Sequence, residues 1–440
     1  MLRALSLVLL LGGLFVRAAA QSDPEDLLRR AVLQVRDTVD RLPKYMCTQT
    51  IERRLLTVPP GERKPNPCDA RPATGRLQLI HSDRLRLDVA STSTGEMYSW
   101  VGEGRFHDEE LSRMVRQGFI GDGGFISFLT TIFVEEGIAE FSYHGETRVE
   151  GRQLQEFGFR VPLEKSLYRF GLRRHEDIVA YEGTFLVDPQ TADLVRLIVI
   201  VSEPPADTGA CQSTTTLDYG HTRLRDADLL LPKEIRLDVV HKFGMEARNR
   251  TLFSNCHEFL GESKLSFGAP QPGPASSEKP PAPSGLALPA GLPFRIAFTE
   301  DIDADVAAAG DTVAAKLTTA IKDAEHRVLL PAGTPLTTRI LQTERNYSPN
   351  ASGVELTLLF RLEAAVVDGT ACPFLATAEP DLKTYEKNKS GLIQNRPLGT
   401  LDAILDPGAA RLRLWNAPQH YVIKSGTASN WTTGARYGSQ

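Results

Sequence analysis

The stretch YEGTFLVDPQTADLVRLIVIV, residues 181–201, indicates the fold class of this chain. Apolar residues recur along Tyr181–Val187, and β-branched residues dominate Leu194–Val201. Segments of this length and composition are typical of β-strands, and the tetrapeptide DPQT at 188–191 contains residues that favour a tight turn. The stretch therefore predicts two antiparallel strands joined as a hairpin.

The same strand pattern continues on both sides of this hairpin. Leu85–Val89 alternates with charged residues, and it is predicted to pair with a strand at Leu77–Leu79 across a turn at His81–Asp83. Further runs with a period of two are Phe157–Val161, Ile235–Val239 and Ala247–Phe253. Because alternation gives each strand one polar and one apolar face, the apolar face of the resulting sheet needs cover.

The first covering element is predicted to be a helix at the start of the mature chain. Asp23 is a suitable N-cap, Pro24 suits the first helical position, and Pro43 ends the helix. The apolar side of this helix is predicted to consist of Leu28, Val32, Val35, Val39 and Leu42. Such a stripe is typical of a helix that packs on a neighbouring sheet.

The second covering element is a short aromatic helix that follows the sequence GDGG at 121–124. Its apolar positions at helical spacing are Phe125, Phe128, Leu129, Ile132 and Phe133. We expect this helix to lie in the concavity of a curved sheet, where these five residues are the candidate ligand-binding residues. The alternative is that the helix completes the core and admits no ligand, which is the commoner role of an aromatic stripe.

A change in composition divides the chain into two domains. Residues 268–285 contain six prolines among small and polar residues, which is typical of an extended linker. Beyond the linker, strands are predicted at Phe294–Phe298, Leu336–Gln342 and Val354–Leu362. The predicted organisation is a signal peptide at 1–20, an antiparallel β domain at 21–267, the linker, and a small β-barrel-like domain with an irregular tail at 286–440. The predicted fold class is mainly β (α+β), with a curved antiparallel sheet or half-barrel covered by two helices.

Residues 1–20 have the features of a cleaved signal peptide. Arg3 precedes the apolar run Ala4–Val16, and Ala18–Ala20 forms a small-residue cleavage site before Gln21. The run is shorter than the roughly 20 apolar residues that span a bilayer. We therefore expect a periplasmic or secreted protein with no transmembrane segment after cleavage. An uncleaved N-terminal anchor is the alternative.

Five cysteines in an exported chain predict disulfides. Cys47 and Cys68 are close in sequence, and we expect a bridge between them to close the proline-containing segment that separates them. Cys211 and Cys256 are the other candidates, although a regular three-stranded meander would place them at opposite ends. Cys372 is the odd cysteine and is expected to act as a small apolar residue.

The sequence gives no sign of catalysis or of nucleic-acid binding. The formal net charge is −5 and the basic residues are scattered, so there is no electrostatic footprint for nucleic acid. Gly-x-Ser-x-Gly, His-Glu-x-x-His, paired Cys-x-x-Cys and phosphate-loop motifs are all missing from the sequence. Metal-ligating residue types cluster at 107–110, 175–177 and 256–258, but each cluster fits a charged turn. We predict no catalytic residue, no metal and no cofactor.

Residues 25–267 resemble the lipoprotein-carrier and lipoprotein-receptor proteins of the bacterial envelope, the LolA/LolB-like half-barrels. The resemblance lies in the opening amphipathic helix, the long alternating strands, the short apolar helix, and a strand ending in VDP at 187–189. Pro43–Arg53 and Ser254–Cys256 are similar to uncharacterised exported proteins of Acidobacteria. The resemblance implies a protein that holds a lipid, an acyl chain or a lipoprotein, and it brings no catalytic residues.

The second domain has a looser resemblance. Residues 288–376 are similar to the small β-barrel of outer-envelope components of type IV secretion channels, through the sequence VLLPAGTP at 328–335 that precedes a strand. This resemblance concerns the fold alone.

These observations lead to two main hypotheses. The first is an exported, non-enzymatic envelope protein that binds an apolar ligand, which is a lipid, an acyl chain or a lipoprotein, in the N-terminal half-barrel. The alternative is an envelope scaffold that binds envelope proteins or the cell wall and has no small-molecule ligand. An enzyme that uses a His–carboxylate cluster ranks last. An internal cavity at the second helix favours the first hypothesis, and an exposed apolar patch favours the second.

Overall fold

The fold is described here from a computed structural model of the chain. The structure describes residues 23–42, 45–59, 68, 77–92, 95–103, 106, 111, 118–121, 124–172, 175–224, 227–258, 286–347, 353–378, 409–418 and 420–434. The predicted signal peptide at 1–20 and the predicted linker at 268–285 lie outside the described residues. We refer to residues 23–258 as the N-terminal unit and to residues 286–434 as the C-terminal unit.

The N-terminal unit is dominated by long antiparallel strands. Its strands are β1 (Tyr45–Thr57), β2 (Gln78–Thr92), β3 (Gly95–Trp100), β4 (Glu140–Val149), β5 (Arg152–Val161), β6 (Arg169–Leu172), β7 (His175–Ile178), β8 (Tyr181–Val187), β9 (Leu194–Val201), β10 (Ala210–Leu224), β11 (Ala227–His241) and β12 (Met245–Glu258). Hydrogen-bonded neighbours give the spatial order β3-β2-β1-β12-β11-β10-β9-β8-β5-β4, and β6 and β7 form a separate hairpin. The hairpin predicted from residues 181–201 is β8–β9.

The opening helix is α1 (Pro24–Arg41). The side chain of Asp23 caps it by accepting a hydrogen bond from the backbone N–H of Glu25 at 3.2 Å, as predicted. The fully buried row of α1 consists of Leu27, Ala31, Val35 and Thr38. Of the predicted stripe, Val35 belongs to this row and Leu42 is buried just after the helix. Leu28, Val32 and Val39 are partly buried beside the row, because the buried side of α1 is wide.

A second, shorter helical segment lies between β3 and β4. Ser127–Leu129 forms one α-helical turn, and Thr130–Val134 continues it as a π-helical turn. We call residues 127–134 the inner helix. It is shorter than predicted, since Phe125 and Ile126 precede its first turn. Short 3₁₀ turns are also present at Leu163–Lys165, Ala206–Thr208 and Lys242–Gly244.

One apolar core joins the two helices to the inward face of the sheet. It combines Leu27 and Val35 of α1 with inward residues of β5 and of β8 to β12, such as Phe157, Phe185 and Leu217. A smaller cluster covers the other end of the sheet, where β1, β2 and β3 pack against Phe125. The predicted fold class, a mainly β chain whose curved antiparallel sheet is covered by two helices, is confirmed.

The predicted turn at His81–Asp83 is wrong. β2 runs without interruption from Gln78 to Thr92, and residues 81–83 pair with β1 on one side. On the other side they pair with a strand of the C-terminal unit that lies 265 residues away in sequence. A local pattern cannot show so distant a partner, so the polar sequence His-Ser-Asp resembled a turn.

The described residues of the C-terminal unit form twelve mostly short strands. They are β13 (Pro293–Phe298), β14 (Ile302–Asp303), β15 (Thr312–Leu317), β16 (Ile321–Lys322), β17 (Val328–Leu330), β18 (Pro335–Tyr347), β19 (Val354–Val367), β20 (Thr370–Pro373), β21 (Ala376–Ala378), β22 (Ala409–Ala417), β23 (Val422–Ile423) and β24 (Ala428–Thr433). Their main order is β22-β19-β18-β15-β13-β24-β21, and β21 comes back close to β22. The sheet therefore curves most of the way around its own core, which contains Trp431 and Phe360.

The two units meet along β2. Residues 344–346 of β18 pair with residues 81–83, and Ala309 exchanges backbone hydrogen bonds with Arg84 and Arg86 at 2.9 and 2.7 Å. Beside this junction, the guanidinium of Arg86 contacts Asp311 at 2.5 Å. The C-terminal unit thus occupies the part of the β2 edge that the short strand β3 leaves uncovered.

The structure contains two disulfides, but their pairing differs from the expected one. Cys47 is bonded to Cys256 with a Cα–Cα distance of 4.0 Å, and Cys68 is bonded to Cys211 at 5.2 Å. The first bridge follows from the sheet order, because β1 lies next to β12 and the register shifts where Cys47 meets the end of that strand. β10, β11 and β12 do form a meander, which keeps Cys211 and Cys256 at opposite ends. Cys372 is a free, partly buried thiol.

Within the described part of the chain, none of the helices has the length and apolar character needed to cross a membrane.

Candidate functional site

The inner helix lies against the aromatic part of the concave face. The rings of Phe133 and Phe185 meet edge to face, with centroids 5.0 Å apart, and Phe128 contacts Tyr168 at 5.0 Å and Tyr181 at 6.0 Å. Phe185 in turn stacks on Phe157 at 5.3 Å. This face of the inner helix is therefore fully buried. Edge-to-face packing of the rings stabilises it beyond the contribution of the buried apolar area.

The backbone of the inner helix has an unusual geometry. The N–H of Glu135 donates to the carbonyl of Thr130 at 3.0 Å, which is the i to i+5 bond of a π-helix. π-helical turns are rare and frequently occur at functional sites. Gly137, with a φ of +71°, follows the helix and allows the chain to turn away into β4.

Side chains from other elements hold both ends of the inner helix. The Glu96 carboxylate of β3 accepts hydrogen bonds from the backbone N–H groups of Phe125 at 2.7 Å and Ile126 at 2.8 Å. Its other oxygen accepts from the Tyr98 hydroxyl at 2.5 Å. At the far end, Arg36 of α1 donates to the carbonyl of Val134 at 3.2 Å. The helix is thus fastened by a carboxylate at its start and a guanidinium at its end.

A small cavity of about 20 Å³ lies between the sheet and the residues that precede the inner helix, Gly121, Gly124 and Phe125. It has room for one or two water molecules. Its wall is partly polar and partly apolar. The lining residues are Gln49, Ile51, Glu96, Tyr98, Gly121, Gly124, Phe125, Thr215, Ile235, Leu237, Asn249, Thr251 and Phe253. Gly124 lies so close to Ile235 that a Cβ at this position would overlap with the Ile235 side chain.

Two buried polar groups near this cavity have no hydrogen-bond partner among the described residues. They are the amide nitrogen Nε2 of Gln49, whose side chain lines the cavity, and the hydroxyl of Tyr219 on β10. Burial raises the pKa of Tyr219 far above its usual range, and the Glu96 carboxylate raises it further, so the hydroxyl keeps its proton. An unpaired buried donor costs about 1–3 kcal/mol, so both groups lower the stability of the fold.

All five residues predicted to bind a ligand are buried. Phe128, Leu129, Ile132 and Phe133 lie in the main core, whereas Phe125 lines the cavity and stacks on Phe253 at 5.6 Å. Their packing agrees with a helix that completes the core in this conformation, and their role in binding stays a prediction.

The polar residues of the cavity were not predicted from the sequence. Gln49 and Asn249 occupy inward positions of β1 and β12, where the strand pattern calls for apolar side chains. The available signal was a polar residue in phase with Ile51 on an otherwise alternating strand. Glu96 carried no such signal, because its role as a cap depends on the fold of a distant segment.

The clusters of metal-ligating residue types give no metal site within the described residues. Cys256 is consumed by a disulfide, which removes the cluster at 256–258. The cluster at 107–110 lies outside the described residues. The cluster at 175–177 belongs to the β6–β7 hairpin.

Three solved structures are similar to about half of this chain. They are a DUF1329 family protein from Desulfovibrio piger (10% identity, TM-score 0.28, covering 54% of this chain and 94% of that chain), a domain described as an outer membrane lipoprotein-sorting protein from Vibrio parahaemolyticus (12% identity, TM-score 0.28, covering 55% and 96%), and a LolA superfamily protein from Nitrosomonas europaea (8% identity, TM-score 0.24, covering 53% and 91%). No protein-family model matches the chain, and no curated protein is similar to it. The acidobacterial and type IV secretion resemblances are not confirmed.

At identities and TM-scores of this size, similarity assigns neither a fold nor a function, so the proposal below rests on the contacts of this chain.

Proposed function

We propose that this chain is an exported, non-enzymatic protein that binds an apolar ligand, such as a lipid or an acyl chain, between its sheet and the inner helix. The observation that carries the proposal is the way in which the inner helix covers the sheet. Aromatic side chains contact the sheet along its length, and the polar contacts of Glu96 and Arg36 fasten its two ends. A cover held in this way can move without breaking any strand pairing.

The free-energy cost of displacing the inner helix is comparable with the gain from burying an acyl chain in its place. Burial of one large apolar side chain contributes about 1.5–3 kcal/mol, so displacement of the four core residues Phe128, Leu129, Ile132 and Phe133 costs roughly 6–12 kcal/mol. A twelve-carbon chain gains about 0.8 kcal/mol for each buried methylene, or roughly 9 kcal/mol in total. An acyl chain can therefore replace the inner helix on the concave face at little net cost.

An exposed apolar patch favours a second candidate function, which is docking to another envelope protein. Leu163, Leu167 and Ile178 are 56%, 68% and 42% exposed; Ile178 ends β7, and the other two precede β6 in the sequence. Apolar groups exposed together are a feature of protein-interaction surfaces. Residues next to this surface contact the inner helix and the turn that follows it, because Tyr168 packs on Phe128 and Lys165 donates to the carbonyl of Gly137.

The test of the main proposal is native mass spectrometry of the chain, expressed from its full sequence for export and purified in oxidised form without detergent. We expect additional mass that is lost on gentle activation and is identified as lipid, or an adduct that forms on incubation with 1-monolauroylglycerol. Hydrogen exchange then locates the ligand. We expect binding to change exchange in residues 124–139 and to leave β19 unchanged as an internal control.

Two results contradict the proposal. One is a mass without adduct both as purified and after incubation with the lipid. The other is an adduct that leaves exchange at residues 124–139 unchanged, because the ligand then lies elsewhere.

A further inference from the structure

The concave face of the sheet carries a group of polar residues on β1, β10 and β12, between the aromatic core and the smaller apolar cluster at β1–β3. The aromatic core, with Phe157 and Phe185, is covered by the inner helix. Towards β1 and β12, inward-facing Gln49, Asn249 and Thr251 are buried, and all three line the cavity. The cavity adjoins the aromatic core, because Leu237 belongs to both the cavity lining and that core.

The unpaired hydrogen-bonding group among the residues that line the cavity is a donor. Gln49 is 4% exposed and lines the cavity, and its amide nitrogen has no partner in the described residues. The Tyr219 hydroxyl is buried and is likewise without a partner in that part of the chain. Asn249 is already engaged, since its amide donates to the carbonyl of Phe119 at 2.9 Å. A ligand that satisfies the Gln49 amide nitrogen must present a hydrogen-bond acceptor.

The charged groups around the cavity indicate whether it favours a carboxylate or an uncharged carbonyl as the acceptor. The nearest charge is the Glu96 carboxylate, which lines the cavity and is held in place by Tyr98 and two backbone N–H groups. The buried guanidinium of Arg53 is paired with Asp83 and is not available to an incoming anion. A second carboxylate would be repelled by Glu96, whereas a carbonyl oxygen would not.

We propose that the Gln49 cavity is the polar subsite of the ligand site and accepts the uncharged carbonyl group of an acyl ester or acyl amide, in preference to a free fatty acid. This inference rests on the proposed function, because the acyl chain of such a ligand would lie beneath the inner helix. It adds a class of head group, which the apolar contacts alone do not specify.

The experiment measures displacement of the fluorescent apolar probe N-phenyl-1-naphthylamine from the oxidised full chain at pH 7.5. Four competitors share a similar hydrocarbon chain: 1-monolauroylglycerol as the ester, N-lauroylethanolamine as the amide, laurate as the carboxylate, and dodecane without a head group. We expect the ester and the amide to bind about tenfold more tightly than laurate or dodecane, which corresponds to one net hydrogen bond. A preference between the ester and the amide identifies which of the two is the better ligand.

Substitution tests the role of the amide itself. Gln49→Leu is expected to reduce the affinity for the ester and the amide about tenfold and to leave dodecane unchanged. Gln212→Leu is the matched control, because Gln212 lies on β10 outside the lining of the cavity.

The possible failures are distinguishable. Equal binding of all four competitors, unaffected by Gln49→Leu, means that the cavity holds solvent only and overturns the subsite while the proposed function stands. Tightest binding of laurate overturns the subsite in favour of an anion site. If no competitor displaces the probe, dodecane included, the proposed function fails and the subsite fails with it.

Discussion

The two units of this molecule cover their apolar surface in different ways. The sheet of the C-terminal unit curves around its own core, and strand residues such as Trp431 and Phe360 fill that core. The sheet of the N-terminal unit stays open, ends at β3 and β4, and is covered by α1 and the inner helix. The two disulfides both lie in the N-terminal unit, whereas Cys372 of the C-terminal unit is free.

The sheet of the C-terminal unit thus encloses its own core, whereas the sheet of the N-terminal unit depends on covering helices. A strand of a closed sheet cannot leave without the loss of a whole ladder of hydrogen bonds, but a covering helix can move while every ladder remains. The two disulfides join β1 to β12 and residue 68 to β10, so they hold the open sheet together when the inner helix moves. We therefore expect ligand exchange in the N-terminal unit and a supporting role for the C-terminal unit.

Removal of a disulfide is expected to have the largest effect on the difference in stability between the two units. Cys47→Ala combined with Cys256→Ala opens a loop with a sequence separation of 209, and we expect the N-terminal unit to lose about 3–5 kcal/mol of stability. The transition of the C-terminal unit in scanning calorimetry should stay in place. Cys372→Ala is the control and should change neither transition. An equal shift of both transitions would show that the two units unfold as one.

A second substitution addresses the junction between the units. Gly310 has a φ of +107°, and a Cβ there would overlap with the backbone carbonyl of Arg86 on β2. We expect Gly310→Ala to cost about 2–3 kcal/mol, from backbone strain together with overpacking. Gly333 has a similar φ of +90°, and no atom lies within 4 Å of an added Cβ. Gly333→Ala is therefore expected to cost only the backbone strain.

Urea unfolding of these two variants gives the measurement. The difference between them reports the junction, and a difference near zero would contradict the packing of Gly310 against β2.

A third prediction concerns two buried glutamines of the N-terminal unit, and one of the two substitutions is expected to stabilise the protein. Because the Gln49 amide nitrogen is buried without a described partner, Gln49→Leu should raise the free energy of unfolding by about 1 kcal/mol. Gln155→Leu should lower it by about 1–2 kcal/mol, since Gln155 bonds to Tyr143 and Glu146. Denaturant titration of the two variants measures both changes. Destabilisation by Gln49→Leu to the same extent would mean that the amide has a structural partner.

The smallest expected effect is a pH dependence at the junction. Burial lowers the pKa of His81, but hydrogen bonds to Asp83 and Asn346, with the charges of Asp83 and Glu344, outweigh burial and raise it above its usual value. A His with a raised pKa contributes stability that is complete below about pH 6.5 and is lost as the pH rises through the folded-state value.

The stability difference between the unaltered chain and His81→Gln should therefore be larger at pH 5.5 than at pH 8, by less than about 1 kcal/mol. Asp83 does not interfere in this range, because its own pKa is lowered and it titrates only in stronger acid. A difference that grows with pH would contradict the raised pKa of His81.

Much of the local structure could be predicted from the sequence. The cap at Asp23, the hairpin in residues 181–201 and the strands at Phe294, Leu336 and Val354 depend on neighbouring residues, and each was predicted correctly. The errors involve distant partners: the turn assigned to residues 81–83 and the pairing of the cysteines. The polar cavity was missed for the same reason, because Gln49 meets Thr251 and Thr215 only when β1, β12 and β10 share one sheet.

The sequence by itself determined that this chain is a β protein with a helix at Asp23 and an aromatic segment after the glycines at 121–124. Period and capping are local, since they depend on residues within about four positions of each other. Only the tertiary structure decided which strands are neighbours, how the cysteines pair, and that the C-terminal unit joins the edge of β2. Those choices depend on many weak contacts between strands far apart in sequence, and each contributes too little to be recognised in a local pattern.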